Sequence, residues 1–273
     1  MKYIDGGVCS AKGFRAGGMN CGIKAGSTKK DLAMIVSNTM CSAAAVYTTN
    51  KVKGAPLAVT REHLINGTAQ AVICNSGNAN TCAPNGVEIA EKTCEITGSA
   101  LGLAAEDIIV CSTGVIGQEL SIKPFEYGVP KLAEKVSYDG GQEAAEAIMT
   151  TYTIPKSIAV EFEIDGKTCH IGGIAKGSGM IDPNMATMLS FITTDAAVSP
   201  EMLDKALKAD VKTSYNQICV DGDMSTNDTV AVLANGMAGN DEITEAGTEF
   251  DVFCEALAMV TRYLAKKLAR DGE

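Results

Sequence analysis

At 273 residues the chain exceeds a typical single domain and is long enough to bury a substantial core without disulfide or metal staples. With 46% hydrophobic and 21% charged residues, its composition is that of a globular chain and excludes disorder as the default state. The 33 acidic against 23 basic residues leave a net charge of −10, which argues against a nucleic-acid backbone or an anionic membrane as the main partner and points to small molecules.

The first residues, MKYIDGGVCSAKGF, carry glycines and charges where a secretory signal needs an apolar stretch, and no later run approaches the roughly 18 apolar residues of a membrane span. The ten cysteines are scattered, form no CxxC pair, and several sit in apolar runs as buried thiols do. Together these features place the chain in a reducing cytoplasm.

Short apolar runs rich in β-branched residues predict strands at Leu32 to Val36, Ala43 to Thr48, Ala71 to Asn75 and Ile108 to Ser112. Between the last two, Ile89, Cys94, Ile96 and Leu101 follow a helical period, with Asn85 and Gly86 at its start. Segments Ile158 to Ile164 and Thr168 to Ile174 flank Asp165-Gly166, a dipeptide that favours the positive φ angles of a tight hairpin. Ser199 and Pro200 open a helix carrying Leu203, Leu207 and Val211 on one face. A last helix begins at Thr248, spaced with Asp251 like a capping box, and carries Phe253, Leu257, Val260, Leu264 and Leu268 in one stripe before Gly272. With no repeat, low-complexity tract or linker, strands mixed with separate helices predict one continuous domain of α/β layers.

The most unusual stretch is residues 172–196, GGIAKGSGMIDPNMATMLSFITTDA, where a strand-like run enters a glycine-rich turn, then a Pro-Asn turn, then an apolar strand. Lys176 beside Gly177-Ser178-Gly179 has the elements of a phosphate cradle, but GxxxxGK[ST] is absent, and a glycine-allowed bend between two strands is the better reading of these residues taken alone. Asp221, Asp223 and Asp228 of VDGDMSTNDT do not fit a calcium loop and read as a turn held by side-chain hydrogen bonds, with no metal. His63 and His170 have no serine or cysteine motif around them and read as structural or exposed.

KGSGMIDPNMATMLSFITTDA (176–196) resembles the cleavage region of the ornithine acetyltransferase family, and KGFRAGG (12–18), KKDLAMIVS (29–37), NSGNAN (75–80), CSTGVIG (111–117) and VDGDMSTNDT (220–229) resemble further family segments in family order. The resemblance covers essentially the whole chain. It implies self-cleavage between Ala186 and Thr187, giving an α chain of residues 1–186 and the first part of a β chain, residues 187–273, with Thr187 as N-terminal nucleophile. It further implies a layered αββα sandwich, two sheets packed between helices with the nucleophile at a strand start, and an α2β2 heterotetramer of the cleaved chains.

The implied chemistry is acetyl transfer from N2-acetylornithine to L-glutamate in arginine biosynthesis, with no cofactor; use of acetyl-CoA as a donor, found in only some members, is left open. A threonine hydroxyl needs a base, and the α-amine freed by cleavage, with an ordinary pKa near ~8, is that base. By resemblance Thr113 and Gly114 form the oxyanion hole, while Thr150, Lys176, Thr187 and Glu273 contact substrate. Tyr152 and Met224 depart from the family pattern, standing where an aspartate and a threonine are usual. Family members also continue well past the segment that ends here at Glu273 and draw substrate contacts from that region. Weak or absent transfer by the isolated 273 residues is therefore expected, and a catalytically incomplete subunit with a binding or assembly role is the alternative reading. A nucleotide-binding enzyme built on the Lys176 loop is a third.

Overall fold

Among the residues that the computed structural model describes, 1–151, 154–177, 188–219 and 224–271, nine strands join in one hydrogen-bonded sheet. They are β1 (Lys2–Ile4), β2 (Phe14–Met19), β3 (Leu32–Tyr47), β4 (Thr68–Asn78), β5 (Ile108–Val115), β6 (Lys156–Ile164), β7 (Lys167–Lys176), β8 (Leu189–Thr194) and β9 (Thr229–Ala234). Their order is β1-β6-β7-β8-β9-β3-β4-β5, with β2 pairing only to β3. The β4–β5 and β8–β9 pairs are parallel and the others antiparallel.

What turns this sheet into two layers is β3. Its first half, Leu32 to Ser37, pairs with β2 and β4, whereas Ser42 to Tyr47 pairs with β9. The register breaks between Val36 and Cys41, where Asn38, Thr39 and Met40 are exposed. An irregularity of this kind bends and twists a strand, so the sheet folds over on itself. The two strands expected at 32–36 and 43–48 are thus one bent strand shared by both leaves.

Side-chain alternation shows the layering. Leu32, Met34 and Val36 belong to one core and Ala33 and Ile35 to another, and the same split runs through Ile108/Val110 against Ile109/Cys111, and Val230/Val232 against Ala231/Leu233. The core between the leaves is built largely from small residues, including Ala33, Ala43, Ala69, Cys74, Cys111 and Ala231, around Phe14 and Phe191. Helix α4 (Gly141–Ala147) adds Ala144, Ala145 and Ala147 to it. A Cβ on Gly18 of β2 would stand 2.2 Å from the Glu143 carbonyl oxygen, so a glycine is required for α4 to dock.

The outer faces are covered by helices. α1 (Ala55–His63), α2 (Gly86–Leu101) and α3 (Lys123–Lys135) pack on the first leaf through Val59, Ile89, Cys94, Phe125, Val129 and Leu132. α5 (Pro200–Asp210) and α6 (Thr248–Arg270) cover the second through Leu203, Leu207, Phe253, Leu257, Val260, Leu264 and Leu268. Each such side chain contributes roughly 1.5–3 kcal/mol relative to exposure. The result is the four-layer αββα sandwich. Ser199 caps α5, accepting from Met202 N–H at 3.4 Å. The capping box at Thr248 does not form: Thr248 is already helical, the cap position is Gly247, and no side chain bonds it. Gly272, expected to end this helix, lies outside the described residues. No helix among the described residues is long and apolar enough to cross a membrane.

Candidate active site

The two central glycines of the site let backbones meet where no side chain could stand. Thr113 and Gly114 end β5 in register with Ser76 and Gly77 of β4. Gly114 has φ +131° and Gly77 φ +115°, and a Cβ on Gly114 would lie 2.3 Å from the Gly77 carbonyl carbon. A buried amide network braces this end. Ser112 Oγ donates to Asn75 Oδ1 at 2.6 Å, and Asn227 Nδ2 donates to the carbonyls of Ser112 at 3.0 Å and Ala79 at 2.6 Å.

Lys176, the last residue of β7, reaches this point across the fold. It is 3% exposed, and its Nζ donates to Thr113 Oγ1 at 2.7 Å. A hydroxyl has one proton and two lone pairs. With a lone pair taken by an ammonium group, Thr113 keeps its proton free for another acceptor and is made a stronger donor.

The third component lies at the start of β8. Met188 N–H donates to Asp228 Oδ1 at 2.7 Å, and Met188 O accepts from Thr229 N–H at 3.2 Å, the first rung of the β8–β9 ladder. Asp228 is fully buried. Burial pushes its carboxyl up to about 7, against the opposing pull of the Met188 N–H and the Lys176 charge.

Thr150 follows the short helix α4, one residue after Met149, whose carbonyl accepts from Lys24 Nζ at 2.7 Å. The Lys24 stem lies against Gly77, 2.8 Å from where a Cβ would be, which brings Thr150 to the Gly77–Gly114 end. Burial lowers the Lys24 pKa. On the other side, Lys156 Nζ, also buried, donates to Asp271 Oδ2 at 2.5 Å and its residue pairs with Ala175, the neighbour of Lys176. The C-terminal end of α6 is thereby anchored beside the same strand ends. Ala186, Thr187 and Glu273 lie outside the described residues, as do Ser178, Gly179, Asp221, Asp223 and Tyr152.

Of the residues expected in a site, Thr113 and Lys176 are therefore in contact, Gly114 adjoins them and Thr150 lies at the same end. Asp228, read from the sequence only as part of a polar turn, joins them. The two histidines do not: His63 Nδ1 meets the Ile108 carbonyl at 2.8 Å and His170 Nδ1 meets Asp195 Oδ2 at 3.1 Å, both as local braces. The ten cysteines are free thiols, and among the described residues no group of three or more His, Cys, Asp or Glu comes together as a metal site.

A cavity of about 580 Å³ lies between the starts of α1 and α2, lined by Lys53, Arg61, Asn80, Cys82 and Glu88. It is a poor anion site. Ala55 N–H is already bonded to Asn80 O, Leu57 N–H to Gly54 O and Gly86 N–H to Ala83 O, Pro56 has no N–H, and Glu88 adds negative charge.

A family model described as the ArgJ family matches residues 15–273. The arginine biosynthesis bifunctional protein ArgJ of Caldanaerobacter subterraneus is 49% identical over 274 residues, covering 100% of this chain, which spans 68% of that relative's length. The ornithine acetyltransferase of Mycobacterium tuberculosis, solved in complex with ornithine, is similar at 36% identity and a TM-score of 0.62, covering 68% of this chain and 98% of the solved one. An L-aminopeptidase D-Ala-esterase/amidase from Ochrobactrum anthropi, at 12% identity and a TM-score of 0.55 over 100% of this chain and 89% of its own, shares the fold, a variant of the Ntn-hydrolase fold.

Proposed function

Because the chain belongs to the ArgJ family, we propose that it cleaves itself between Ala186 and Thr187 and moves the acetyl group of N2-acetylornithine to L-glutamate through an acetyl ester on Thr187. The observation that carries this reading is the buried Lys176–Thr113 contact beside the Met188–Asp228 anchor, because it gathers an activated hydroxyl donor and a fixed backbone next to the residue that would become the nucleophile.

In the first half-reaction the Thr187 hydroxyl oxygen bonds to the acetyl carbonyl carbon while its proton passes to the Thr187 α-amine. The tetrahedral oxyanion accepts from Thr113 Oγ1–H and from the Gly114 backbone N–H. Collapse breaks the C–N bond, the departing nitrogen takes the proton, and ornithine leaves. Glutamate's neutral amine then attacks the ester carbon and passes a proton to the Thr187 α-amine, the same donors stabilise the second oxyanion, and collapse breaks the ester C–O bond, with that proton returning to the Thr187 oxygen as N-acetylglutamate leaves. Thr150, Lys176 and Glu273 hold the amino-acid portion, a hydroxyl, a cation and a carboxylate suiting a zwitterion.

Cleavage need not separate the two chains. β8, which follows Thr187, lies between β7 and β9, and β9 pairs with β3, so the pieces would share one sheet. We assign residues 1–186 and 187–273 to an α chain and the first part of a β chain, assembled as α2β2 in the cytoplasm. No cofactor is required. Acetyl-CoA enters only as a second donor, in line with the relatives' bifunctional name.

The test gives N2-acetylornithine and glutamate to the purified 273-residue protein and to the same protein lengthened to the full extent of its relatives, of which the chain spans 68% in the Caldanaerobacter case. Equimolar ornithine and N-acetylglutamate, with the parallel-line kinetics of a ping-pong reaction, is expected of the lengthened protein and weak or no product of the 273 residues alone, and acetyl-CoA replacing acetylornithine reads the second donor. A lengthened, fully cleaved protein that forms neither product contradicts transfer. Product from the lengthened protein alone favours the incomplete-subunit reading of the 273 residues, for which the 68% coverage of the Caldanaerobacter relative is the motive.

A further inference from the structure

Asp228 uses only part of its hydrogen-bonding capacity. Its carboxyl is wholly buried, Oδ1 accepts from Met188 N–H at 2.7 Å, and Oδ2 has no hydrogen-bond partner among the described residues. A buried carboxyl oxygen without a partner is costly and calls for an explanation. The groups facing it are the Lys176 cation from β7, the Ser225 hydroxyl from its own loop and the Thr48 hydroxyl from the end of β3. Thr48 is itself committed, its Oγ1 donating to Ser225 O at 2.8 Å and its N–H to the Asp228 carbonyl at 3.0 Å.

The nitrogen that Asp228 holds is that of the peptide bond joining residue 187 to residue 188. Lys176, in turn, connects Asp228 electrostatically to Thr113. We propose that Asp228 is a positioning residue for chemistry at Thr187: through Met188 N–H it fixes the peptide leaving that residue, and its negative charge faces Lys176 so that the lysine stays aimed at Thr113. This rests on the self-cleaving reading above and adds to it a residue that acts through the backbone and through Lys176 rather than by touching substrate.

The bond to Met188 is strongest when the carboxyl is ionised, since charge-assisted acceptors hold N–H groups more tightly. With the carboxyl pushed up to about 7, ionisation falls inside the working range, and the cleavage rate should climb between pH 6 and pH 8.

The experiment follows the fraction of chains cut at Ala186–Thr187 by intact mass, over time at pH 6, 7 and 8, for the wild type, Asp228→Asn and Asp228→Ala, with circular dichroism as the check on folding. Misplacing a reacting group by about 1 Å costs on the order of 100-fold in rate, and that loss is expected for Asp228→Ala. Asp228→Asn retains an acceptor for Met188 N–H, so it should lose only about tenfold, and its rate should be flat from pH 6 to 8. Folded Asp228→Ala cutting at the wild-type rate overturns the proposal, as does Asp228→Asn with the wild-type pH profile. The asparagine variant decides the matter alone if the alanine variant does not fold. A wild type uncut at every pH refutes the self-cleaving reading and the proposal with it, whereas cut wild type with unaffected variants refutes the proposal only.

Discussion

In the protein lengthened to the extent of its relatives, Lys176→Met is expected to lower kcat/KM for acetyl transfer by about 10³-fold, in the upper range for loss of one preorganised oxyanion donor. The loss runs through Thr113. Its hydroxyl oxygen accepts from Lys176 Nζ at 2.7 Å, which leaves the hydroxyl proton for the oxyanion. Methionine keeps the length and apolar packing of the lysine stem but donates nothing, so the Thr113 proton is no longer directed or polarised. The same change removes the cation facing Asp228, and the carboxyl should then ionise only at higher pH. Two readouts follow: the fall in kcat/KM, and an alkaline displacement of the pH profile in the residual activity. A variant with kcat unchanged and only KM raised would show that Lys176 binds substrate without serving Thr113.

Asp228→Asn should stabilise the protein at pH 8 and much less at pH 5. The folded-state carboxyl stands at about 7 against an ordinary 3.8, so between those values the folded chain holds a proton that the unfolded chain has released. Stability contributed by this group is therefore greatest at low pH, falls as pH rises through that interval, and levels off above it. At 1.36 kcal/mol per pKa unit the penalty grows by roughly 2–3 kcal/mol from pH 5 to pH 8 and then stays constant. Asparagine is neutral throughout and escapes it. For a chain of this size that difference corresponds to roughly 5–10 °C in Tm. Thermal unfolding of wild type and variant in the same cleavage state at both pH values reads it, and an equal Tm difference at pH 5 and pH 8 contradicts a carboxyl held near 7. A residue that lowers stability at the pH where it serves chemistry is the exchange expected of a functional site.

Local structure was the most legible part of the sequence. Asp165 and Gly166 both adopt positive φ, +50° and +69°, in the turn between β6 and β7, as that dipeptide requires. The apolar stripe of the last helix is buried from Phe253 to Leu268. Helix α3 is masked in the sequence by Pro124 and Pro130, which punctuate it, and α4 by its length, since seven alanine-rich residues show no full period. The continuity of β3 was hidden by its exposed middle, Asn38 to Met40. Burial on both faces erases the alternation that distinguishes a sheet's two sides, so the αββα layering was reached through family resemblance and not through the pattern of β3, β4 and β5.

The site shows the same division. Gly114 stood out as a turn-permitting glycine, but its need to lie against Gly77 depends on the parallel pairing of β4 and β5. The Lys176–Thr113 contact joins residues 63 apart, which no local spacing encodes. Asp228 was legible only as a polar residue in a polar loop, because its burial arises where β8 and β9 meet in parallel. The apolar run from Val230 to Ala234 directly after it was the available signal.

All of the chemistry above depends on a free amine at Thr187, and intact mass of the purified protein tests that most directly. Cleavage at the expected bond gives two fragments, residues 1–186 and 187–273, of 186 and 87 residues, the second beginning Thr-Met-Leu-Ser, and Thr187→Ala stays whole. A wild-type protein found only as one uncut chain of 273 residues, or a Thr187→Ala protein cut at the same bond, contradicts the account.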